Sequence, residues 1–190
     1  MTRRTHALAS VAALALIAIA AVLIYNFGPG RRGVQTASQS PIVGKAQVGH
    51  PAPSFVVSTT GGLFDLAAVE KPVFLEVFAT WCPHCQRETS VIDKLYGKYH
   101  ARVAFVGVSG SDTGMDGTSA SSQNDVLDFV RRFGVRYPVA YDPLLNVADL
   151  YLQGGFPTVA LIGTNKKIAY LNSGEISYGD LDAAVKKLLR

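Results

Sequence analysis

Beyond residue 53 the chain alternates short apolar runs with stretches whose apolar residues recur every three or four positions, the pattern of an α/β layered domain. Residues 54–58 read as a strand, Gly61-Gly62 as a turn, and residues 71–78 as a second strand. That second strand is apolar on both faces, with Val73, Leu75 and Val77 on one and Phe74 and Phe78 on the other, which predicts a place in the middle of its sheet. Val91, Ile92, Leu95, Tyr96 and Tyr99 then recur at helical spacing, and Pro83 suits the first turn of that helix, where a missing N–H costs nothing. Residues 102–108 form the next strand. The Gly/Ser/Asp-rich run 109–120 reads as a loop, because Asp112 and Asp116 do not fit calcium-loop spacing. Ser122 with Asp125 three residues on makes a capping box for a helix reaching Phe133. A short helix is predicted from Asp142-Pro143 to about Leu152. A hairpin of residues 158–162 and 167–171 turns at Gly163-Thr164-Asn165-Lys166, and a last helix spans 179–189 with Leu181, Val185 and Leu188 on one stripe. No internal repeat is seen.

Before this domain the pattern is different. Residues 7–27 carry no charge, and at about 1.5 Å rise per residue they reach roughly the 30 Å of a bilayer's hydrocarbon core. Arg3 and Arg4 also resemble the basic start of a signal peptide, but such segments have apolar runs of only about 7 to 15 residues. Here hydrophobicity continues through Val22, Leu23 and Ile24, which favours a retained transmembrane anchor. The expected organisation is a short cytoplasmic stretch at 1–6, an anchor at 7–27, a Gly/Ser/Gln/Thr-rich linker at 28–47 and a folded domain at 48–190. A very short amino-terminal tail is expected to stay in the cytoplasm, so that the domain faces the extracytoplasmic, periplasmic side of the inner membrane.

Charge adds one exclusion. Net charge is +4, but Arg3, Arg4, Arg31 and Arg32 supply the excess, and the remaining 14 Lys and Arg balance 14 Asp and Glu. The domain is therefore neutral overall, which argues against nucleic acid as a partner.

The chemistry concentrates in Trp81-Cys82-Pro83-His84-Cys85, which holds the only two cysteines in 190 residues. A lone Cys-x-x-Cys is a redox couple or half of a metal site. At a helix start the unpaired N–H groups and the helix dipole stabilise negative charge on the Cys82 sulfur, making Cys82 the expected nucleophile. His84 can add partial positive charge or an N–H donor. Cys85, one turn further in, is the expected resolving thiol and the more buried of the two. A zinc site needs more ligands than His6, His50 and His100 offer at ligand spacing, so no metal is expected. Copper transfer, with His84 or His50 as third ligand, stays as the alternative. Glu76 lies six residues before Cys82 on the face of Phe74 and Phe78, where burial should raise its pKa. Glu88 shares the inner helix face with Cys85, with a solvated charge as the equal alternative.

These residues resemble a known family. Gly49-His50-Pro51-Ala52-Pro53-Ser54-Phe55 is similar to the entry strand, and Phe78-Ala79-Thr80-Trp81-Cys82 to the active-site approach, of the membrane-anchored TlpA/ResA-like thiol:disulfide oxidoreductases. Gly155-Phe156-Pro157-Thr158 resembles the cis-proline loop of the thioredoxin fold. Peroxiredoxins have a similar entry strand, but they carry Thr or Ser and Pro where this chain has Ala79 and Leu75.

The resemblance implies a three-layer α/β/α domain around a central mixed sheet, with a cis Phe156-Pro157 bond beside the cysteines. It implies that Glu76 exchanges a proton with Cys85, that Glu88 is an accessory acid, and that Trp81, Phe156 and Pro157 receive a substrate peptide. The expected partners are client proteins with thiols or disulfides and a membrane redox partner that resets the pair, without a cofactor. The anchor, entry strand and Trp81 resemble reducing proteins of cytochrome c maturation, whereas Pro83-His84 and Glu76 resemble the oxidant DsbA. Because thiolate stabilisation favours the reduced form, His84 tips the expectation towards an oxidant or isomerase.

Overall fold

The computed structural model describes residues 45–190, within the compact unit Pro41–Arg190. Among the described residues seven strands and four helices follow one another as β1 (Val56–Thr59), β2 (Gly62–Asp65), β3 (Val73–Phe78), α1 (Pro83–Tyr99), β4 (Ala104–Ser109), α2 (Gln123–Phe133), β5 (Val139–Tyr141), α3 (Asn146–Tyr151), β6 (Thr158–Ile162), β7 (Ile168–Ser173) and α4 (Tyr178–Leu188). They form one mixed sheet in the order β2-β1-β5-β4-β3-β6-β7. Strands β3, β4 and β5 run parallel, and β1, β2, β6 and β7 pair antiparallel.

Strand β3 is central, as its two apolar faces predict, and all six of its residues are buried. Phe74 and Phe78 pack with Ile92 and Leu95 of α1, Val126 and Phe129 of α2, and Leu181 and Val185 of α4. Val73, Leu75 and Val77 face the opposite layer, with Phe55, Phe64, Leu66 and Val147, Ala148 and Tyr151 of α3. The sheet is thus covered on both sides, the three-layer arrangement expected.

Helix α2 starts where the capping box places it. The Ser122 hydroxyl accepts from the Asp125 N–H at 3.3 Å, and Asp125 Oδ2 accepts from the Ser122 N–H at 2.8 Å. Gly134 ends the helix in the left-handed region, at φ 63°.

Three expectations change. The segment Gly49–Ala52 is not a regular strand: it runs along the start of β7 through Gly49 N–H to Ile168 O (2.8 Å), Ile168 N–H to His50 O (3.0 Å) and a single bridge between Pro51 and Lys167. Pro51 and Pro53 lack the N–H groups that a longer ladder requires. The short helix starts at Asn146 rather than Asp142, because the buried Asp142 carboxylate accepts from the N–H groups of Asn146 (3.0 Å), Val147 (2.7 Å) and Ala148 (3.3 Å), with Leu145 left-handed at φ 56° between them. Strands β2 and β5, of four and three residues, are too short to carry a readable period.

Among the described residues no helix is long and apolar enough to cross a membrane, and the span expected at 7–27 lies outside the described residues, as does the linker up to residue 44.

Candidate active site

The parallel strand β3 delivers the chain through Ala79-Thr80-Trp81 into the start of α1. Cys82 is the N-cap residue and Pro83 the first residue of the helix, so Cys82 stands at the amino end of α1, without a side-chain cap hydrogen bond. Both thiols are free and buried, Cys82 at 4% exposure and Cys85 at 0%. The burial order agrees with an outer and an inner thiol, although Cys82 is less accessible than expected of an attacking thiol. Its Sγ lies 3.8 Å from the Phe156 carbonyl, to which the thiol donates.

Phe156-Pro157 is a cis peptide bond. The loop that carries it is fastened on both sides: the Gly155 carbonyl accepts from the hydroxyls of Thr158 (2.9 Å) and Ser173 (3.0 Å), and the Pro157 carbonyl accepts from Gly174 N–H at 2.8 Å. Pro157 is buried and Phe156 half-buried. Trp81, 37% exposed, meets the Phe156 ring edge-on with centroids 6.3 Å apart, while its Nε1–H donates to Ser111 Oγ at 2.9 Å. Trp81 and Phe156 thus lie beside Cys82, with Pro157 next along the loop.

Behind the cysteines lie two buried acids. Glu76 is 1% exposed and Glu88 0%, so Glu88 is no solvated helix charge. The Tyr137 hydroxyl donates to Glu76 Oε2 at 3.0 Å, and Ile176 N–H donates to Glu88 Oε1 at 2.9 Å. Among the described residues Glu76 Oε1 and Glu88 Oε2 are buried without a hydrogen-bond partner. Burial, reinforced by Glu88, pushes the Glu76 carboxyl up to about 8 against the pull of Tyr137. Burial likewise raises Glu88 to about 7, with Ile176 N–H working against it. The Cys85 thiol is driven far above its ordinary range by burial, with Glu76 adding to the effect. Cys85 therefore keeps its proton at neutral pH unless a neighbouring base takes it.

Glu76 has room because Gly107 is its parallel partner on β4. A Cβ at Gly107 would stand 3.0 Å from Tyr137 Cε2 and 3.6 Å from Glu76 Oε2. Gly107→Ala should therefore push the Tyr137 ring off Glu76 and cost about 1 to 3 kcal/mol, the usual range for overpacking, read from the denaturant midpoint.

His84 is placed differently from expectation. Its Nδ1 faces Glu175 Oε2 at 3.0 Å and Arg87 Nη2 at 2.7 Å. A proton on Nδ1 donates to Glu175, and without one Nδ1 accepts from Arg87. Tyr137, Arg87, Ser111, Glu175 and Ile176 were not read from the sequence as site residues. Tyr137 and Glu175 reach the site from 61 and 91 residues away along the chain. Among the described residues no three His, Cys, Asp or Glu side chains are grouped to hold a metal ion.

A mixed sheet, a Cys-x-x-Cys at a helix start and a cis-proline opposite it define a thioredoxin-like thiol–disulfide oxidoreductase. Known proteins agree. Residues 47–188 match the family model described as Redoxin, and the chain belongs to that family. It is 33% identical over 149 residues to the thiol-disulfide oxidoreductase ResA of Bacillus anthracis, covering 76% of this chain and 80% of that one. A Chlorobium tepidum chain assigned as thiol:disulfide interchange protein DsbE shares the fold at TM-score 0.67 and 23% identity, over 76% of this chain and 99% of that one. A second Chlorobium tepidum structure, a thiol:disulfide interchange protein of the thioredoxin family, has a TM-score of 0.59 and 25% identity, over 74% and 96%. The chain is a TlpA/ResA-like thiol–disulfide oxidoreductase.

Proposed function

We propose that the protein is a membrane-tethered, extracytoplasmic oxidant or isomerase of client disulfides, with Cys82 attacking and Cys85 resolving. As an oxidant, its disulfide takes two electrons from a client dithiol: a client thiolate opens the Cys82–Cys85 bond, forming a mixed disulfide at Cys82 and leaving a thiol at Cys85. The second client thiolate then displaces Cys82 and closes the client disulfide. As an isomerase, the Cys82 thiolate opens a client disulfide and another client thiolate then displaces Cys82, leaving the pair reduced; as a reductant, the Cys82 thiolate opens the client disulfide and Cys85 closes on Cys82, releasing the client as a dithiol. Cys85 gives its proton in that step to the ionised fraction of Glu76, which grows as pH rises towards about 8, and Glu88 supports Glu76 as an accessory acid. Trp81, Phe156 and Pro157 receive the client strand. Among the described residues the Phe156 N–H has no hydrogen-bond partner, which leaves it available to a client backbone.

One observation carries the direction. Two basic side chains, Arg87 and His84, sit on the first turns of α1, where the part of their positive charge that Glu175 leaves uncompensated would favour the Cys82 thiolate and hence the reduced form. The uncharged, apolar run at 7–27 supports the tether, and a membrane redox partner would reset the pair. The reducing alternative, of the cytochrome c maturation type, is favoured by the likeness to ResA. Copper transfer has no third ligand grouped with the sulfurs among the described residues.

The deciding measurement is the equilibrium of the pair against glutathione. A potential nearer the roughly −120 mV of DsbA than the roughly −270 mV of thioredoxin is expected, and one at or below the thioredoxin value assigns a reductant. A membrane-impermeant thiol reagent should label the reduced protein in cells whose outer envelope is permeabilised. Protection by the inner membrane would overturn the location.

A further inference from the structure

The connection from β7 to α4 reaches the cis-proline loop, Glu88 and the first turns of α1. Ser173 Oγ and Gly174 N–H hold the cis-proline loop, and Ile176 N–H holds Glu88. Between them Glu175 turns outward to the first turns of α1. Its carboxylate accepts from Arg87 Nη2 at 2.8 Å and Arg87 Nε at 3.2 Å, and stands 3.0 Å from His84 Nδ1. All three side chains are partly exposed, at 39% for Glu175, 54% for Arg87 and 60% for His84. An exposed cluster of this kind adds little to stability. Its position matters more: it puts one fixed anion against the two basic groups nearest the amino end of the helix that Cys82 caps.

We propose that Glu175 is a positioning residue that sets the redox balance of the Cys82–Cys85 pair, by holding Arg87 and His84 in an ion pair that offsets their charge at the Cys82 sulfur. The inference rests on the reading of Cys82 as the attacking thiol. In a glutathione buffer the protein disulfide and two glutathione thiols become the protein dithiol and one glutathione disulfide. The Cys82–Cys85 bond breaks, a glutathione sulfur–sulfur bond forms, and two electrons pass to the protein. Two protons accompany them, less the fraction that Cys82 releases as thiolate. Anything that stabilises that thiolate moves the equilibrium towards the dithiol and makes the protein more oxidising.

Supporting this coupling, Glu175 is the main cause that raises the Arg87 guanidinium, with charge on Cys82 the smallest contribution, and Arg87 and His84 together hold the Glu175 carboxyl down at about 2. Glu175 is therefore a full anion wherever the enzyme works. Its charge also reaches Glu88, whose pKa it raises, so loss of Glu175 lets Glu88 ionise slightly more easily. That opposing effect is the smaller one, because burial dominates at Glu88.

The test uses the full chain. Glu175→Gln should shift the glutathione equilibrium about fivefold towards the dithiol, which is about 20 mV at 29.6 mV per tenfold. Glu175→Asp, which keeps the charge, should return most of the shift, and about 1 M salt should shrink it below twofold by screening. In the Cys85→Ser background, Glu175→Gln should speed alkylation of Cys82 at pH 6 severalfold. Added to an Arg87→Gln, His84→Gln double variant, it should change the equilibrium little. An equilibrium within twofold of wild type for folded Glu175→Gln, while Cys85→Ser still traps clients, overturns this role and leaves the exchange reading standing. A wild-type pair that never equilibrates with glutathione overturns both.

Discussion

Cys85→Ser should accumulate mixed disulfides between Cys82 and client proteins, visible as reducible adducts on non-reducing gels, and Cys82→Ser should accumulate none. The asymmetry follows from placement. Cys82 stands at the N-cap position of α1 beside Phe156, whereas Cys85 is fully buried one turn in and strongly holds its proton. An incoming thiol or disulfide meets Cys82 first. Without Cys85 only an external thiol can release the client. Turnover should fall by on the order of 10³-fold or more, because a positioned internal thiol acts at an effective molarity far above that of thiols in solution. Equal trapping by both variants would refute the division of roles, and trapping by neither, with tight copper(I) binding by the wild type, would favour metal transfer.

The second large effect is expected at Glu76. Glu76→Gln keeps the shape and the Tyr137 partner but removes the proton acceptor, so release of clients by Cys85 should slow by on the order of 10²-fold. The same change should stabilise the protein at alkaline pH. The folded protein holds the Glu76 proton up to about pH 8, while the unfolded chain loses it near its ordinary 4.5. Between those values the folded state binds more protons, so stability falls as pH rises and is lowest above pH 8. Glu88, raised to about 7, acts in the same direction. Glu76→Gln should flatten this decline and add up to a few kcal/mol at pH 9, since each tenfold difference in proton affinity between folded and unfolded chain is worth about 1.4 kcal/mol. Urea titrations at pH 5, 7 and 9 would measure it. A variant with unchanged pH dependence and unchanged release would remove Glu76 from the mechanism.

The parts of this site that follow from neighbours in sequence were legible. Alternation along 73–78 puts Glu76 beside Phe74 and Phe78, and that is where it lies, inside the layer that α1, α2 and α4 cover. The Cys-x-x-Cys falls at the helix start because Pro83 belongs in a first turn. The cis-proline loop was legible only through resemblance, since nothing local distinguishes Phe156-Pro157 from another X-Pro pair. Tyr137 and Glu175 were not legible. Tyr137 precedes the three-residue β5, and Glu175 lies in a turn; each acquires its partner only when the sheet brings distant segments together. His84 shows the same limit, because its neighbours in sequence say nothing of the Glu175 carboxylate that it meets.

The contact between Cys82 and the Phe156 carbonyl has a consequence for access. That carbonyl is an acceptor a client strand would seek on arriving beside Pro157, and before any client arrives the thiol already donates to it. Under the proposed function, a client backbone N–H would compete with the thiol for that carbonyl. Docking of a client strand and release of the sulfur would then be coupled, an advantage that a disulfide without a peptide backbone would lack.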